Sequence, residues 1–164
     1  MYDSGKFKLA EPRKLTPEES KKKAEDYFNQ WFESANEFYN HFEYALQKNT
    51  LNIAAILLHQ SAERYYTTIL LVFTDYRPKG HNLKTLDIQV GMCDKRFKQV
   101  FPGNNAEEIR LFELLKKAYV DARYKMDEYN ITKEELAYLA GRVKILRELT
   151  ETVCKEKIER IGNA

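Results

Sequence analysis

Residues 51–74, LNIAAILLHQSAERYYTTILLVFT, decide the fold class of this chain. When the stretch is drawn as a helix, apolar side chains cover most of its circumference. A helix that is apolar on nearly every side lies in the middle of a bundle, where neighbouring helices cover it. Its one polar stripe consists of His59, Glu63 and Thr67, which are four residues apart and stack in a line, with Gln60 and Arg64 beside them.

Amphipathic helices are predicted on both sides of this central stretch. The sequence TPEE at residues 16–19 is typical of a capping box with proline at the first helical position. It starts a helix that runs to about residue 48, with apolar residues spaced by threes and fours. The sequence TKEE at residues 132–135 forms a second capping box and starts a last helix, which runs to about residue 160.

Two more helices are predicted between the central helix and the last one. A loop at residues 75–81 contains one proline and one glycine, which break helices. Asn82 can cap a short helix that begins at residue 83, and Asn105 can cap a longer helix that reaches about residue 126. A break at Asn49 and Thr50 separates the first two long helices.

These elements predict an all-α protein, an up-and-down bundle with four long helices and one short helix. The bundle is expected to cover residues 16–160, with residues 161–164 as a tail. Residues 1–15 are predicted to be an extended lead-in or linker, so the chain is a candidate fragment of a longer protein. The wide, aromatic-rich apolar face of the first helix favours burial against a second subunit as well as the bundle.

Composition excludes several other classes of protein. Only 6 Gly and 4 Pro in 164 residues disfavour an all-β fold, and 27 basic against 25 acidic residues leave a net charge of +2. The mean hydropathy is −0.64, and no apolar run approaches membrane-spanning length. Because Cys93 and Cys154 form neither a metal-ligand pair nor a disulfide framework, we expect a cytoplasmic protein.

No established catalytic or metal-binding motif is present. The sequence contains neither a G-x-S-x-G elbow nor the glycine-rich phosphate loops of ATPases and dehydrogenases. His59 and Glu63 could share a metal, but a bundle metal site needs matching ligands from other helices, and the sequence indicates no second such pair. We therefore expect no metal, no cofactor and no catalytic residue in this chain.

Two stretches could bind an anion. The sequence RPKGH at residues 77–81 places three basic side chains just before a predicted helix N-terminus, which favours phosphate. Arg123 can bind a phosphate in a bidentate manner, and the adjacent Tyr124 can stack on a base or sugar. The alternatives are an ordinary basic turn in the first case, and in the second an Asp121–Arg123 surface pair beside a core tyrosine.

Three of these stretches together resemble the HEPN domain family. They are LHQSAERYY at residues 58–66, PKGHNL at residues 78–83 and DARY at residues 121–124, in the order and spacing of the family pattern. The likeness covers roughly residues 20–160. It implies a helical bundle that commonly dimerises and is often fused to, or paired with, a minimal nucleotidyltransferase in prokaryotic toxin–antitoxin or stress systems. Family members bind nucleotides or cleave RNA.

The resemblance does not extend to the ribonuclease signature of the family. Members that cleave RNA carry an arginine with a histidine a few residues later, and Arg123 matches that arginine in position. The last histidine of this chain is His81, however, so the signature histidine is absent. A ribonuclease mechanism of that type is therefore not expected, and the domain alone is predicted to be non-catalytic.

The sequence thus predicts a nucleotide- or RNA-binding and dimerisation module, a homodimer that accompanies a nucleotidyltransferase and does not bind a membrane. Two alternatives stay open: a degenerate ribonuclease that uses His81 with Arg123 across space, and a purely structural interaction bundle. The predicted ligand-binding residues come from three separate parts of the chain. They are Lys79, His81, Arg123 and Tyr124, with His59 and Glu63 lining the same groove.

Overall fold

The computed structural model describes residues 14–163, and this part of the chain is helical, with no β-strand. The elements in chain order are α1 (Pro17–Gln47), α2 (Leu51–Thr74), α3 (Leu83–Cys93), a 3₁₀ helix (Lys95–Gln99), α4 (Ala106–Lys117), α5 (Asp121–Tyr124) and α6 (Lys133–Gly162). The predicted all-α bundle is confirmed. The extended lead-in predicted for residues 1–15 lies almost wholly outside the described residues. Within residues 14–163, no helix has both the length and the apolar character to cross a membrane.

Helix α2 lies at the centre of the core, as its apolar circumference predicts. Its side chains Leu58, Tyr65, Tyr66 and Ile69 are completely buried, covered by α1 and α6 on two sides and by α3, α4 and α5 elsewhere. The buried tyrosine hydroxyls are satisfied, because that of Tyr65 donates to Asn36 and that of Tyr66 donates to Asp87. Buried polar side chains of α2 are likewise bonded to backbone carbonyls: Ser61 donates to Ala35 and Thr68 to Arg64.

Local capping sets where most helices begin. Both predicted capping boxes form, since the hydroxyls of Thr16 and Thr132 accept the backbone N–H three residues later and the third residue is a glutamate that reaches back. Asn82 and Asn105 cap α3 and α4 through their side-chain oxygens. Thr50 differs, because its hydroxyl donates to the carbonyl of residue 45 and makes no cap bond with α2.

The fourth helix, which was predicted to reach residue 126, ends earlier in the structure. Helix α4 ends at Lys117, and a turn precedes the single helical turn of α5. The Leu115 carbonyl explains this end, since it accepts the N–H of Ala118 at 3.2 Å and lies 3.1 Å from Nδ1 of His59. In a continuing helix that carbonyl would accept the N–H of Tyr119. The turn places Tyr119 against α2.

Candidate functional site

Three of the predicted site residues meet at the carboxylate of Glu63. His59 and Glu63 lie one turn apart on α2, and Nε2 of His59 is 3.6 Å from Oε1 of Glu63. His81, in the loop after α2, reaches back so that its Nδ1 lies 2.7 Å from Oε2 of the same carboxylate. Glu63 therefore lies between two imidazole rings that are 22 positions apart in the sequence.

The two histidines differ in their exposure to solvent. His59 is completely buried, whereas the side chain of His81 is half-exposed. Since a carbonyl oxygen can only accept, Nδ1 of His59 donates to the Leu115 carbonyl. Nε2 of His59 is left facing Glu63 without a hydrogen-bond partner among the described residues.

The charge of Glu63 is set by its two neighbours. Burial of this side chain, which is 19% exposed, would raise the pKa of its carboxyl group. The two neighbouring imidazoles, His81 through its hydrogen bond and His59 at 3.6 Å, outweigh that effect and hold the pKa of Glu63 below its ordinary value. The carboxylate is therefore ionised at neutral pH and fixes the orientation of the His81 ring.

Tyr119 joins these residues to the second predicted stretch. Its ring stacks on that of His81, with centroids 4.7 Å apart, and on that of His59, with centroids 5.4 Å apart. The guanidinium carbon of Arg123 lies 5.4 Å from the centroid of the same ring. We call the resulting group the histidine–arginine cluster. Its members are His59, Glu63, His81, Tyr119 and Arg123.

The exposed end of this cluster has the chemistry of an anion site. Arg123 forms no ion pair with a carboxylate of the described residues, and its guanidinium lies 5.1 Å from the ring of Tyr124. Tyr124 is 72% exposed, so it is not a core residue, and no Asp121–Arg123 pair forms. An unpaired guanidinium can bind a phosphate in a bidentate manner, and an exposed ring can stack on a base.

Lys79 forms no hydrogen bond or ion pair with the histidine–arginine cluster within residues 14–163. It lines a separate cavity of about 560 Å³ between the end of α2 and α3, with Tyr76 and Met92 among the other lining residues. Arg77 packs on α1, with its guanidinium carbon 4.7 Å from the ring centroid of Trp31. The basic loop therefore does not gather its three cations at the N-terminus of α3.

Tyr119 is the member of the cluster that the sequence did not single out. It falls within the helix predicted to reach about residue 126, which is amphipathic and has Ile109, Phe112 and Leu115 at the preceding apolar positions. The one available signal was its distance of four residues from Arg123, because side chains at that spacing are neighbours on a helix. Its stacking on His81 depends on tertiary packing and left no local signal in the sequence.

No group of three or more His, Cys, Asp or Glu side chains within residues 14–163 is arranged to hold a metal ion. The site consists of the His81–Glu63 hydrogen bond, the stacked rings around Tyr119 and the guanidinium of Arg123.

Comparison with known proteins assigns the family. A family model for the HEPN domain matches residues 28–156, which include α2 to α5 and most of α1 and α6, and therefore every residue of the cluster. None of the curated proteins compared with the chain matches it. HEPN domains are nucleotide- or RNA-binding modules that often dimerise. The match covers most of the chain, and the protein is therefore a member of the HEPN domain family.

Proposed function

We propose that the histidine–arginine cluster, with Tyr124 beside it, is the nucleotide- or RNA-binding site of this HEPN domain. The observation that supports the proposal is the state of Arg123. Its guanidinium is exposed, has no carboxylate partner in the described residues, and packs on the same tyrosine ring as the half-exposed His81. Cation, imidazole and aromatic ring thus meet at one place on the surface.

Each side chain has a distinct part in this site. The guanidinium of Arg123 binds the phosphate, because its planar N–H groups match two phosphate oxygens. Nδ1 of His81 is used by Glu63, which leaves Nε2 for a phosphate or sugar oxygen. Tyr124 stacks on the base, and Tyr119 keeps the arginine and the imidazole at a fixed separation. His59 is completely buried and lies against Glu63 on the side of the protein interior.

Calorimetry with Arg123→Ala tests the proposal. Adenosine monophosphate and a short single-stranded RNA are titrated into the wild type, into Arg123→Ala and into Arg160→Ala. Arg160 is an exposed residue near the end of α6 and serves as a control of equal charge. Loss of a charge-assisted phosphate contact is expected to weaken binding by about tenfold to a hundredfold in Arg123→Ala. Arg160→Ala is expected to bind like the wild type.

Two results would contradict this function. Equal affinities of wild type and Arg123→Ala would remove Arg123 from the site. Absence of binding for both ligands would favour the third interpretation, a purely structural interaction bundle. Circular dichroism of each variant shows whether the fold is intact. We expect it to be intact in Arg123→Ala, because Arg123 is exposed and its replacement leaves the core unchanged.

We also propose that the chain forms a homodimer and accompanies a minimal nucleotidyltransferase, in the same or a neighbouring chain, in a prokaryotic toxin–antitoxin or stress-response system. The family's tendency to dimerise supports the first part. Sedimentation velocity tests it, and a monomer at all concentrations would overturn it.

For the association with a nucleotidyltransferase, the expected finding is a reading frame next to that of Met1 that encodes Gly-Ser followed by spaced aspartates. Absence of such a frame would contradict the association.

One observation favours ribonuclease activity as a second candidate function. His81 and Arg123, although 42 positions apart, both pack on Tyr119, and the His81 imidazole is held by a carboxylate. A histidine oriented in this way can act as a general base on a ribose hydroxyl while the arginine holds the phosphate. Cleavage of a structured RNA that is lost in His81→Ala would support this activity. Equal cleavage by both proteins would exclude His81 as the base.

A further inference from the structure

A second group of cations and aromatic rings lies where α1 meets α2. The guanidinium carbon of Arg64 is 5.3 Å from the ring centroid of Trp31 and 4.9 Å from that of Phe38. The guanidinium carbon of Arg77, from the loop after α2, is 4.7 Å from the Trp31 ring. We call these four residues the tryptophan–arginine cluster.

The two positive charges of this cluster have no counter-ion among the described residues. Neither arginine forms an ion pair with a carboxylate there, and the polar contact of Arg64 is with the hydroxyl of Ser34, at 3.0 Å. Packing on the rings stabilises each guanidinium, but two like charges beside one indole ring repel each other. A bound anion would remove this repulsion and satisfy the free N–H groups.

The position of this cluster relates it to the histidine–arginine cluster. Arg64 directly follows Glu63, and successive residues of a helix point about 100° apart, so the two clusters lie on adjoining faces of α2. Arg77 and His81 belong to one loop and are four residues apart, which limits their Cα separation to about 14 Å. One oligonucleotide strand can therefore reach both clusters.

We propose that the tryptophan–arginine cluster is a second nucleic-acid contact, at which Arg64 and Arg77 hold a phosphodiester group and a base stacks on the guanidinium planes or on Trp31. The ligand of this domain is then a single strand of RNA that extends across two faces of α2. This inference rests on the function proposed for the histidine–arginine cluster and adds a second contact to it. An acidic peptide would neutralise the arginines but would leave the aromatic rings without a stacking partner.

Intrinsic fluorescence can report on this cluster alone, because Trp31 is the single tryptophan of the chain. Excitation at the red edge of tryptophan absorption avoids the tyrosines. The probe is an oligouridylate of about ten nucleotides, a length within the range of single-strand binding sites. Uridine monophosphate, inorganic phosphate and a polyglutamate of the same charge as the oligouridylate are titrated in separate experiments. The oligouridylate is expected to change Trp31 fluorescence with saturation, at a far lower concentration than uridine monophosphate or inorganic phosphate, whereas polyglutamate is expected to leave it unchanged.

Variants then test the arginines. Arg77→Ala is expected to weaken oligouridylate binding about tenfold and to lower the slope of log affinity against log salt by about 0.7, the value for one phosphate contact on a single strand. Arg77→Lys is expected to recover part of the affinity and most of the salt slope, because it keeps the charge but not the planar donor group. Arg160→Ala is the matched control with wild-type affinity and slope.

The outcomes separate this inference from the proposed function. If Arg123→Ala abolishes mononucleotide binding while Arg77→Ala binds oligouridylate like the wild type, the proposed function stands and this inference fails. If oligouridylate changes Trp31 fluorescence and that response is lost in Arg77→Ala but kept in Arg123→Ala, the tryptophan–arginine cluster binds RNA and the function proposed for the other cluster fails. A fluorescence response to polyglutamate equal to that of oligouridylate would overturn RNA as the ligand.

Discussion

Glu63 is the residue on which the geometry of the candidate site depends. Its carboxylate is hydrogen-bonded to the half-exposed imidazole of His81 and lies 3.6 Å from Nε2 of buried His59, so removing it would leave the His81 ring without the group that orients it. In the proposed site Arg123 contacts the ligand directly, whereas Glu63 acts through His81. It is therefore a positioning residue, and its contribution to stability can be measured separately from binding.

The pH dependence of stability in Glu63→Gln tests this assignment. The folded-state pKa of Glu63 lies below its ordinary value of 4.5 because of the two histidines, although burial opposes them. Its charge therefore stabilises the fold above about pH 4.5, and this contribution is lost as the pH falls through the folded-state pKa. Urea unfolding is expected to show Glu63→Gln less stable than the wild type at neutral pH, with the difference closing in acid.

The control is Glu148→Gln, an exposed glutamate on α6 that makes no hydrogen bond or ion pair with the described residues. Its difference from the wild type is expected to be small at every pH. A difference for Glu63→Gln that stayed constant from neutral to acid pH would mean that the charge of Glu63 does not contribute.

The residues of the site were partly predictable from the sequence. The stripe of His59 and Glu63 followed from helical periodicity, and the structure brings His81 and Arg123 to it. The sequence alone could not show that His81 joins the cluster while Lys79 lines a cavity, because the direction of each side chain in a short loop depends on the surface against which the loop packs. The ligand-binding role of all these residues stays a prediction.

At the scale of elements, starts of helices were predictable and one helix end was not. Caps depend on residues three positions apart, such as Thr132 and Glu135, so the signal is contained in the local sequence. The end of α4 depends on a contact between Leu115 and His59, which are 56 positions apart. Such a contact exists once α2 and α4 have packed, so the apolar pattern continued beyond the point where the helix ends.

Thr132→Ala tests how much the capping box of α6 contributes to stability. The hydroxyl of Thr132 accepts the N–H of Glu135 at 3.0 Å, and alanine removes that bond at the start of a 30-residue helix. The free energy of unfolding is expected to fall by about 1 kcal/mol, as for other lost caps. Urea unfolding measures it. Thr132→Ser keeps the hydroxyl and is expected to retain most of the stability, so equal losses in both variants would contradict the capping role.

At the scale of the whole molecule, the central position of α2 determines how the parts depend on each other. Its side chains are buried by all the other α-helices, and the smaller elements contribute completely buried residues of their own, such as Leu83, Phe97 and Leu115. The pattern in residues 51–74 was sufficient to predict a central helix. The pattern does not specify which neighbours cover each face, since a fully apolar helix has no preferred side.

This arrangement predicts that the chain unfolds in one cooperative step. Separation of any long helix would expose α2, so no partly folded state retains a covered core. Three probes report on different helices in urea: Trp31 fluorescence for the contact of α1 with α2, the thiol reactivity of Cys154 for α6, and far-ultraviolet circular dichroism for all helices. Burial raises the pKa of the Cys154 thiol, which keeps it unreactive while α6 is packed. We expect the three transitions to share one midpoint. A Trp31 transition at lower urea than the other two would show that α1 leaves first and that α2 and α6 form a stable core without it.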